Sequence, residues 1–209
     1  MENKDQIAKA AEHLFMNYGF RSVTMDDIAK RLGISKKTIY QHFRDKDEVV
    51  RLATFRILER EKTLLDHIQN QAKDAIHELH LLSNYLRQHI VNINPSALFD
   101  LQKYHPDAWE IYLNFKDKVF LQSVEATLNR GMKEGCFRPN IDPKILSVLR
   151  IELIHLSFDD RVFPKDEYDW REVHSQLFDH FTYGILTPKG VQAFEKYSEN
   201  SQNNAANNL

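Results

Sequence analysis

The sequence predicts an all-α fold, with an N-terminal three-helix helix-turn-helix domain and a C-terminal helical domain. Only 6 glycines and 6 prolines occur among 209 residues, and no stretch shows the two-residue alternation and hairpin turns of β-strands. Apolar residues instead recur at helical spacing, and capping residues precede several of these segments. With 42% hydrophobic residues, the chain has enough apolar content for a packed core.

The second and third predicted helices are short and joined by a tight turn. Thr24 stands three residues before Asp27, which is the spacing of a capping box and opens the second helix. Gly33 ends that helix, because glycine adopts the left-handed conformation without penalty. Ser35 caps the third helix after a turn of about three residues. Residues 22–46 therefore have the pattern of a helix-turn-helix.

Longer helices flank this motif. The first is predicted at residues 5–18, and Asp45 with Glu48 caps a fourth that runs toward residue 70. That fourth helix, at 47–70, is expected to join the two domains. Further helices are predicted at 74–92, 96–103, 106 to 131 or 134, 143–158 and 167–186, with a short turn or helix at 188–197.

These elements give a domain plan. Residues 1–48 form the helix-turn-helix domain, and residues 49–197 form an effector-binding and dimerisation domain. The tail at 198–209 is polar and of low complexity, so we expect it to be disordered.

The third helix has one apolar side and one polar side. With 100° per residue from Lys36, Ile39 and Phe43 fall near 300° and 340° and mark the buried side. The opposite side presents groups that hydrogen-bond guanine, adenine and phosphate oxygens. That side carries Lys37, Thr38 and Gln41, and its flanks carry Lys36, Tyr40 and His42.

The motif is also strongly basic. Between Lys30 and Lys46 there are six basic residues and one acid, Asp45, so the local charge is about +5 on a chain of net charge −2. Such a patch indicates a polyanionic partner. A solvated helix that simply carries lysine and glutamine at its surface is the alternative interpretation.

A longer set of residues resembles the N-terminal domain of the tetracycline-repressor (TetR) family. The match runs without a gap from about Ile7 to Val50. It rests on Leu14-Phe15, Tyr18-Gly19-Phe20, Thr24, Asp27-Ile28-Ala29, Gly33-Ile34-Ser35, Thr38-Ile39-Tyr40, Phe43 and Lys46-Asp47-Glu48.

The resemblance implies a DNA-binding domain joined to a helical domain for effector binding and dimerisation. It also implies that Thr24, Tyr40, His42 and Lys46 hold phosphates. By the same resemblance, base edges or adjacent phosphates would be faced by Lys36, Lys37, Thr38 and Gln41. Lys37 departs from the family pattern, in which the position is often Gly or Ala, so this lysine affects how closely the helix approaches the groove.

The helix predicted at 143–158 is apolar around nearly its whole circumference, so it must be covered on more than one side. A second subunit is the preferred cover, since a two-fold DNA site calls for a two-fold protein. A helix central to its own domain is the alternative. The predicted homodimer interface comprises Leu146, Leu149, Leu153, Val173, Leu177 and Phe181.

The middle of the chain is rich in aromatic residues, and pockets between helices are mostly apolar with a few polar anchors. An unidentified, largely apolar small-molecule effector is therefore expected, although ordinary core packing explains the same residues. The candidate ligand residues are Phe99, Trp109, Tyr112, Phe115 and His155, with His89 and His105 as further polar anchors.

Enzymatic function is not expected. The run His77-Glu78-Leu79-His80 spaces its histidines three apart, whereas zincins need four, and no phosphate-binding or nucleophile motif occurs. No metal or cofactor is predicted. The single cysteine, Cys136, excludes an intrachain disulfide and suits a reducing cytoplasm. A redox-sensing role for Cys136 is the alternative to an incidental one. No apolar run reaches the roughly 18 residues of a membrane span.

The sequence thus predicts a dimeric, ligand-responsive repressor that binds a palindromic operator in the cytoplasm. The alternative is a DNA-binding regulator or architectural protein without a small-molecule effector.

Overall fold

A computed structural model describes the backbone of residues 2–89, 94 and 96–206, and the side chains of these residues apart from 2, 3, 87, 89 and 199–206. The described residues contain helices and no β-strand, apart from an isolated bridge between Phe137 and Leu186. The all-α prediction is confirmed. No helix in the described part of the chain combines the length and apolar character that a membrane crossing needs.

The N-terminal half contains seven of these helices in chain order. Their bounds are α1 Glu2–Tyr18, α2 Met25–Leu32, α3 Lys36–Tyr40, α4 Lys46–Gln71, α5 Ala75–His89, α6 Ala97–Tyr104 and α7 Pro106–Phe115.

The C-terminal half continues from α7 through a π-helical segment, Lys116–Phe120, directly into the next helix. This segment interrupts the long helix that the sequence predicts from residue 106. The remaining bounds are α8 Leu121–Lys133, α9 Pro143–Ser157, α10 Trp170–Ile185 and α11 Pro188–Ala206.

The last helix differs from the sequence prediction, which placed disorder at 198–209. Helix α11 continues to Ala206, and residues 207–209 lie outside the described part. Its first turns are held by packing, because Phe194 is buried in a core cluster and Val191 and Tyr197 pack against the same cluster. Once a helix is nucleated in this way, each added residue forms a further backbone hydrogen bond and costs little free energy, so a polar extension can continue as helix.

The chain divides into two compact units. The first comprises Met1–Thr63 with Asn92–Asp117, and the second comprises Leu64–Val91 with Lys118–Leu209. Helix α4 begins in the first and continues into the second. This division differs from the predicted boundary after residue 48, because α6 and α7 belong to the first unit.

The core of the first unit explains why α6 and α7 belong to it. Phe15, Ile28 and Ile39, from α1 to α3, are fully buried in one apolar cluster that also contains Leu101 and Ala108. The Asp100 carboxylate of α6 accepts a hydrogen bond from the Arg21 backbone amide at 3.0 Å. The helix-turn-helix is therefore supported by segments distant in sequence.

The second unit has its own core. Ile76 and Leu79 of α5, Leu128 of α8 and Ile185 of α10 are buried together with Phe137. Helix α9 packs against α8 and α10. This arrangement leaves part of α9 uncovered.

Candidate nucleic-acid interface

The turn before α2 is built by the predicted capping box. The Asp27 amide donates to the Thr24 hydroxyl at 3.2 Å, and the Thr24 amide donates to the Asp27 carboxylate at 2.8 Å. The Thr24 hydroxyl also donates to that carboxylate, and this bond holds the pKa of Asp27 below its usual value. Thr24 itself is exposed at the helix N-terminus, where a phosphate is favoured.

The turn between α2 and α3 depends on Gly33. Its φ of +66° lies in the left-handed region, and its amide bonds the Lys30 carbonyl at 3.2 Å, which closes α2. Ser35 then caps α3, because its hydroxyl accepts a hydrogen bond from the Thr38 amide at 3.1 Å. Both predicted caps are confirmed.

Helix α3 has the predicted two-sided character. Ile39 and Phe43 are buried, whereas Lys37 and Gln41 are exposed. The assigned helix ends at Tyr40, but the Phe43 amide still bonds the Ile39 carbonyl at 3.0 Å, so the helical turn continues beneath Gln41. The predicted base-reading side chains are thus presented on one regular turn.

The flanking side chains are held to different degrees. Tyr40 is 46% exposed, and His42 is half-buried. Thr38 is half-buried, and its hydroxyl lies 2.8 Å from that of Ser35. Lys36 Nζ donates to Asp26 at 2.9 Å, which raises the pKa of Lys36 above its usual value. The predicted contact of Lys36 with DNA would therefore require Lys36 to leave, or to share, this carboxylate.

The positive charge of the surface is only partly neutralised within the chain. Arg44 pairs with the neighbouring Asp45 at 2.8 Å. In the part of the chain that the structure describes, Lys30, Arg31 and Lys37 are exposed and form no direct ion pair, although the charge of Lys30 helps to lower the pKa of Asp27. Three unpaired cations beside one exposed helix make a surface that attracts a polyanion.

Lys46 is placed at the beginning of α4 by a bond to the neighbouring turn. Its Nζ donates to the Arg21 carbonyl at 3.2 Å, and partial burial lowers its pKa below the usual value. The predicted cap of α4 is also present, since the Glu48 amide donates to Asp45 at 2.9 Å and the Arg44 amide donates to Glu48 at 2.8 Å. Lys46 is therefore fixed at a helix N-terminus, as a phosphate contact requires.

The predicted ligand residues fall in different units. Phe99, Trp109, Tyr112 and Phe115 belong to the first, while His155 is on α9 in the second. Trp109 and Tyr112 stack with centroids 5.0 Å apart, and Trp109 packs against the first core. Phe99 is 52% exposed. Their role in ligand binding stays a prediction. The side chain of His89 lies outside the described residues, and His105 bonds Asp47 at 2.7 Å.

The predicted dimer residues also divide into groups. Val173 and Phe181 are buried inside the second unit, so their place in a subunit interface is corrected. Their side of α10 faces its own core, which helical periodicity alone does not reveal. Leu146, Leu153 and Leu177 are half-buried, and Leu149 is 44% exposed. Ile145 and Val148 belong to the apolar circumference predicted for this helix but not to the predicted interface, and they are 66% and 49% exposed on the same side of α9 as Leu149.

Both histidines of the α5 run, His77 and His80, stack on Tyr197, and the centroid of the His80 ring lies 5.8 Å from that of Tyr197. His77 stacks on Tyr197 with centroids 4.8 Å apart, and the His80 ring bonds Asn84 at 2.9 Å. Glu78 accepts a hydrogen bond from Thr127, and its burial raises its pKa above the usual value. Among the described residues there is no group of three or more metal-binding side chains.

One buried basic residue is not among the candidates predicted from the sequence. Arg150 lies on α9 among the apolar side chains and is only 7% exposed. The sequence does contain a signal for it, namely an arginine inside an otherwise apolar helix. The prediction for that helix rested on its apolar residues alone. His174, which is buried on α10, was missed for the same reason.

Comparison with known proteins identifies a family for this fold. Residues 7–53 match the model of bacterial regulatory proteins of the tetR family. The HTH-type transcriptional regulator SAB2452 of Staphylococcus aureus is 34% identical over 179 residues, which are 77% of this chain and 95% of the relative. The HTH-type transcriptional regulator YvaF of Bacillus subtilis is 28% identical over 86% of this chain and 94% of its own length.

Solved structures share the fold over most of this chain. A TetR-family regulator from Agrobacterium tumefaciens covers 89% of this chain and 98% of its own, with a TM-score of 0.75 and 14% identity. A transcriptional regulator from Saccharomonospora viridis in complex with choline covers the same shares, with a TM-score of 0.73 and 22% identity. At these identities the likeness concerns the fold.

Proposed function

Because the chain belongs to the TetR family of transcriptional regulators, we propose that it represses its target genes by binding a near-palindromic operator as a dimer, under the control of a small-molecule effector. One observation carries the DNA-binding part of this proposal. The exposed side of α3 presents Lys37 and Gln41 beside the unpaired cations Lys30 and Arg31. These groups suit base edges and phosphates respectively.

Each predicted contact then has a defined role. Lys37 and Gln41 read base edges, with Lys36 and Thr38 at the margin of the groove. The phosphates beside this groove are held by Thr24, Tyr40, His42 and Lys46. Their support is positional: Tyr40 ends α3 and His42 lies in the turn that follows it, while Thr24 and Lys46 lie at the beginnings of α2 and α4.

The dimer is proposed to form through α9, with α10 beside it. Ile145, Val148 and Leu149 are spaced three and four residues apart, so they share one helical side, and all are exposed. A contiguous apolar surface of this kind marks an interaction site. A two-fold axis through it would pair each α9 with its copy, as two operator half-sites require.

Effector response is supported by relatives. One structural relative was solved with choline, and another is the ketosteroid transcriptional regulator KstR2 of Mycobacterium tuberculosis. We propose that the second unit of this chain binds its own small molecule. A regulator without an effector is the alternative, and it predicts that operator affinity is insensitive to every small molecule tested.

Helix α4 is the proposed connection between effector and DNA. It begins at Lys46 beside the recognition surface and continues to Gln71. The DNA-binding domains of a dimer bind successive major grooves only when their recognition helices lie about 34–36 Å apart. A ligand that tilts α4 would therefore change the distance between the two recognition helices, so that they no longer match successive major grooves.

No catalytic activity is proposed, because the relatives are transcriptional regulators and the exposed chemistry is that of DNA contact. The cytoplasm is proposed as the compartment, since that is where a bacterial operator lies.

Selection from a random DNA pool tests the DNA-binding proposal directly. The full-length chain is mixed with random duplexes, and bound sequences are recovered through several rounds. We expect a motif with two-fold symmetry and half-sites about 10 base pairs apart. Recovery of no shared sequence would contradict an operator-binding regulator.

A second experiment tests the switch. A small molecule found by thermal-shift screening is titrated with and without the selected operator, followed by calorimetry. A 100-fold loss of DNA affinity requires about 2.7 kcal/mol of coupling, and operator must then weaken ligand binding by the same total factor. Equal ligand affinity in both titrations would rule out this switch.

A further inference from the structure

The second unit buries a guanidinium that has no anionic partner. Arg150 is 7% exposed, and its Nη1 has no hydrogen-bond partner. Among the residues that the structure describes, no carboxylate pairs with it. Burial lowers the pKa of Arg150 to about 10, so the group stays charged at neutral pH. A buried charge without a counter-charge is strongly unfavourable, and the structure therefore calls for an anion at this point.

Aromatic rings form the immediate surroundings of this charge. The guanidinium carbon lies 4.9 Å from the ring centroid of Phe178 and 5.9 Å from that of Phe181. The rings stabilise the cation through their faces but supply no negative charge. They also keep the local dielectric low, which strengthens any ion pair formed there.

Two further polar atoms on α10 are buried without partners. His174, Phe178 and Thr182 are four residues apart, so they share one side of the helix. The Thr182 side chain is fully buried, and its hydroxyl has no hydrogen-bond partner. His174 Nε2 is likewise buried and unpartnered. Buried polar atoms normally have partners, so these three atoms on two adjacent helices are available to hydrogen-bond a bound molecule.

The hydrogen bonds of Ser157 define the state of His174. The Ser157 hydroxyl donates to the Ile154 carbonyl at 2.7 Å, which commits its only proton. His174 Nδ1, at 3.0 Å from the same oxygen, must therefore donate to it. The remaining Nε2 carries a lone pair and accepts a hydrogen bond. Burial, with the charge of Arg150, lowers the pKa of His174 to about 4, so the ring is neutral at pH 7.

We propose that Arg150, His174 and Thr182 bind a small organic carboxylate that carries a hydroxyl or amide group. Its carboxylate pairs with the Arg150 guanidinium, its apolar part lies against Phe178 and Phe181, and its donor group bonds His174 Nε2. Thr182 completes the polar contacts. This assignment rests on the proposed effector response and names the chemical class of the effector.

The single positive charge among Arg150, His174 and Thr182 disfavours ligands of other chemical classes. One buried positive charge compensates one negative charge, whereas a phosphate monoester carries about −1.5 to −2 and would remain partly unpaired. A quaternary ammonium such as choline would be repelled by Arg150. A monocarboxylate is the class in which one negative charge neutralises the Arg150 guanidinium and no charge is left over.

A series of probes tests this class on the full-length protein. Linear monocarboxylates from acetate to decanoate, their ω-hydroxy derivatives, the matched alcohols and choline are compared at fixed ionic strength and pH 7.5. Thermal unfolding and calorimetry are measured for each. We expect some carboxylates to raise the unfolding temperature in a concentration-dependent way, while the alcohols and choline do not.

Matched variants locate the effect. Arg150→Met should weaken binding of the best carboxylate at least 10-fold and raise the unfolding temperature of the ligand-free protein, because it removes an unpaired buried charge. Arg171→Met removes the same charge from the surface of α10 and should bind the carboxylate as the unmodified protein does. Thr182→Val should weaken binding by a smaller factor.

Two results would overturn the assignment. One is the absence of stabilisation by any carboxylate of the series. The other is equal carboxylate affinity in the unmodified protein and Arg150→Met. If Arg150→Met does not fold, the neutral and polar Arg150→Gln decides: a 10-fold loss of affinity supports the site, and unchanged affinity overturns it.

Operator binding measured in the same samples separates this inference from the function on which it rests. A protein that binds operator but ignores every carboxylate contradicts only the carboxylate site. A protein that selects no operator contradicts the proposed function.

Discussion

Helices α3 and α9 have surfaces of opposite polarity. Helix α3 buries Ile39 and exposes Lys37, as a helix of a monomeric protein does. Helix α9 exposes Ile145 and Leu149 at 66% and 44% and buries Arg150 at 7%. The exposed apolar side of α9 supports the proposed dimer contact, and the buried charge of Arg150 supports the proposed carboxylate site.

The difference teaches how to assign partners to surfaces. An exposed basic helix is stable in water, so DNA binding adds to a complete fold. An exposed apolar side and a buried unpaired charge are both unfavourable in the isolated chain. If the proposed dimer and ligand are correct, each should stabilise the second unit, whereas DNA binding should not be needed for the stability of the first unit.

The largest expected effect comes from a charge placed on the exposed side of α9. Leu149→Glu should give monomers or insoluble protein, because an unpaired carboxylate buried in the interface costs several kcal/mol per subunit. Light scattering reports the assembly state, and operator affinity should fall about 100-fold or more. Asn129→Asp adds the same charge at an exposed position of α8 and should remain dimeric.

The role of α10 in that interface is tested separately. Leu177→Glu should also disrupt the dimer if the half-buried Leu177 meets the partner. A soluble and fully dimeric Leu177→Glu protein would confine the interface to α9.

The next effect concerns the buried side of α9 and α10. Burial, with the charge of Arg150, lowers the pKa of His174 to about 4, below the unfolded value of about 6.5. The unfolded chain therefore binds more protons between these values, and stability falls as pH drops from 6.5 toward 4, by up to about 3 kcal/mol per site.

Urea denaturation at pH 7.5 and 4.5 measures this loss. His174→Phe should show a smaller decrease than the unmodified protein. His180→Gln, at an exposed position of α10, should leave the decrease unchanged. Identical pH dependence in His174→Phe and the unmodified chain would show that His174 is not the titrating group.

A third effect concerns the bases read by α3. Lys37→Ala and Gln41→Ala should each cost about 1–3 kcal/mol at the contacted base pair and relax the sequence preference there. Fluorescence anisotropy with operators changed at single positions measures this. Lys62→Ala removes an exposed lysine on α4, 16 residues after Lys46, and should bind as before. Unaltered preference in both α3 variants would mean that another surface faces the groove.

The smallest effect concerns Lys46. Lys46→Ala should weaken binding to all sequences alike and reduce the salt dependence by about one unit of slope per subunit. Lys46→Arg keeps the charge and should keep the slope. A Lys46→Ala protein with unchanged slope would show that the ammonium serves the Arg21 carbonyl alone.

Local signals determined the helix-turn-helix from the sequence. Thr24, Gly33 and Ser35 act through backbone groups within a few residues, so their caps appear in the structure as predicted. The buried positions Ile39 and Phe43 follow from periodicity for the same reason. The caps and the buried positions of this motif were therefore predictable from the sequence, whereas the DNA contacts of its exposed side chains stay a prediction.

The structure decided what depends on distant packing. Periodicity finds the apolar side of a helix but does not say which other helix covers it. Val173 and Phe181 therefore proved to belong to their own core, while Ile145 and Val148 proved to be exposed. The π-helical segment at Lys116–Phe120 likewise has no capping or periodic signal in the sequence.

By itself the sequence determined the all-α fold, the recognition helix and the family, because each depends on contacts within a few residues or on a motif carried by adjacent positions. Only the tertiary structure placed α6 and α7 with the first unit and buried Arg150 near His174. The physical reason is that burial is a property of the assembled helices: a charged residue is costly or harmless according to what surrounds it, and its surroundings come from residues far away in the chain.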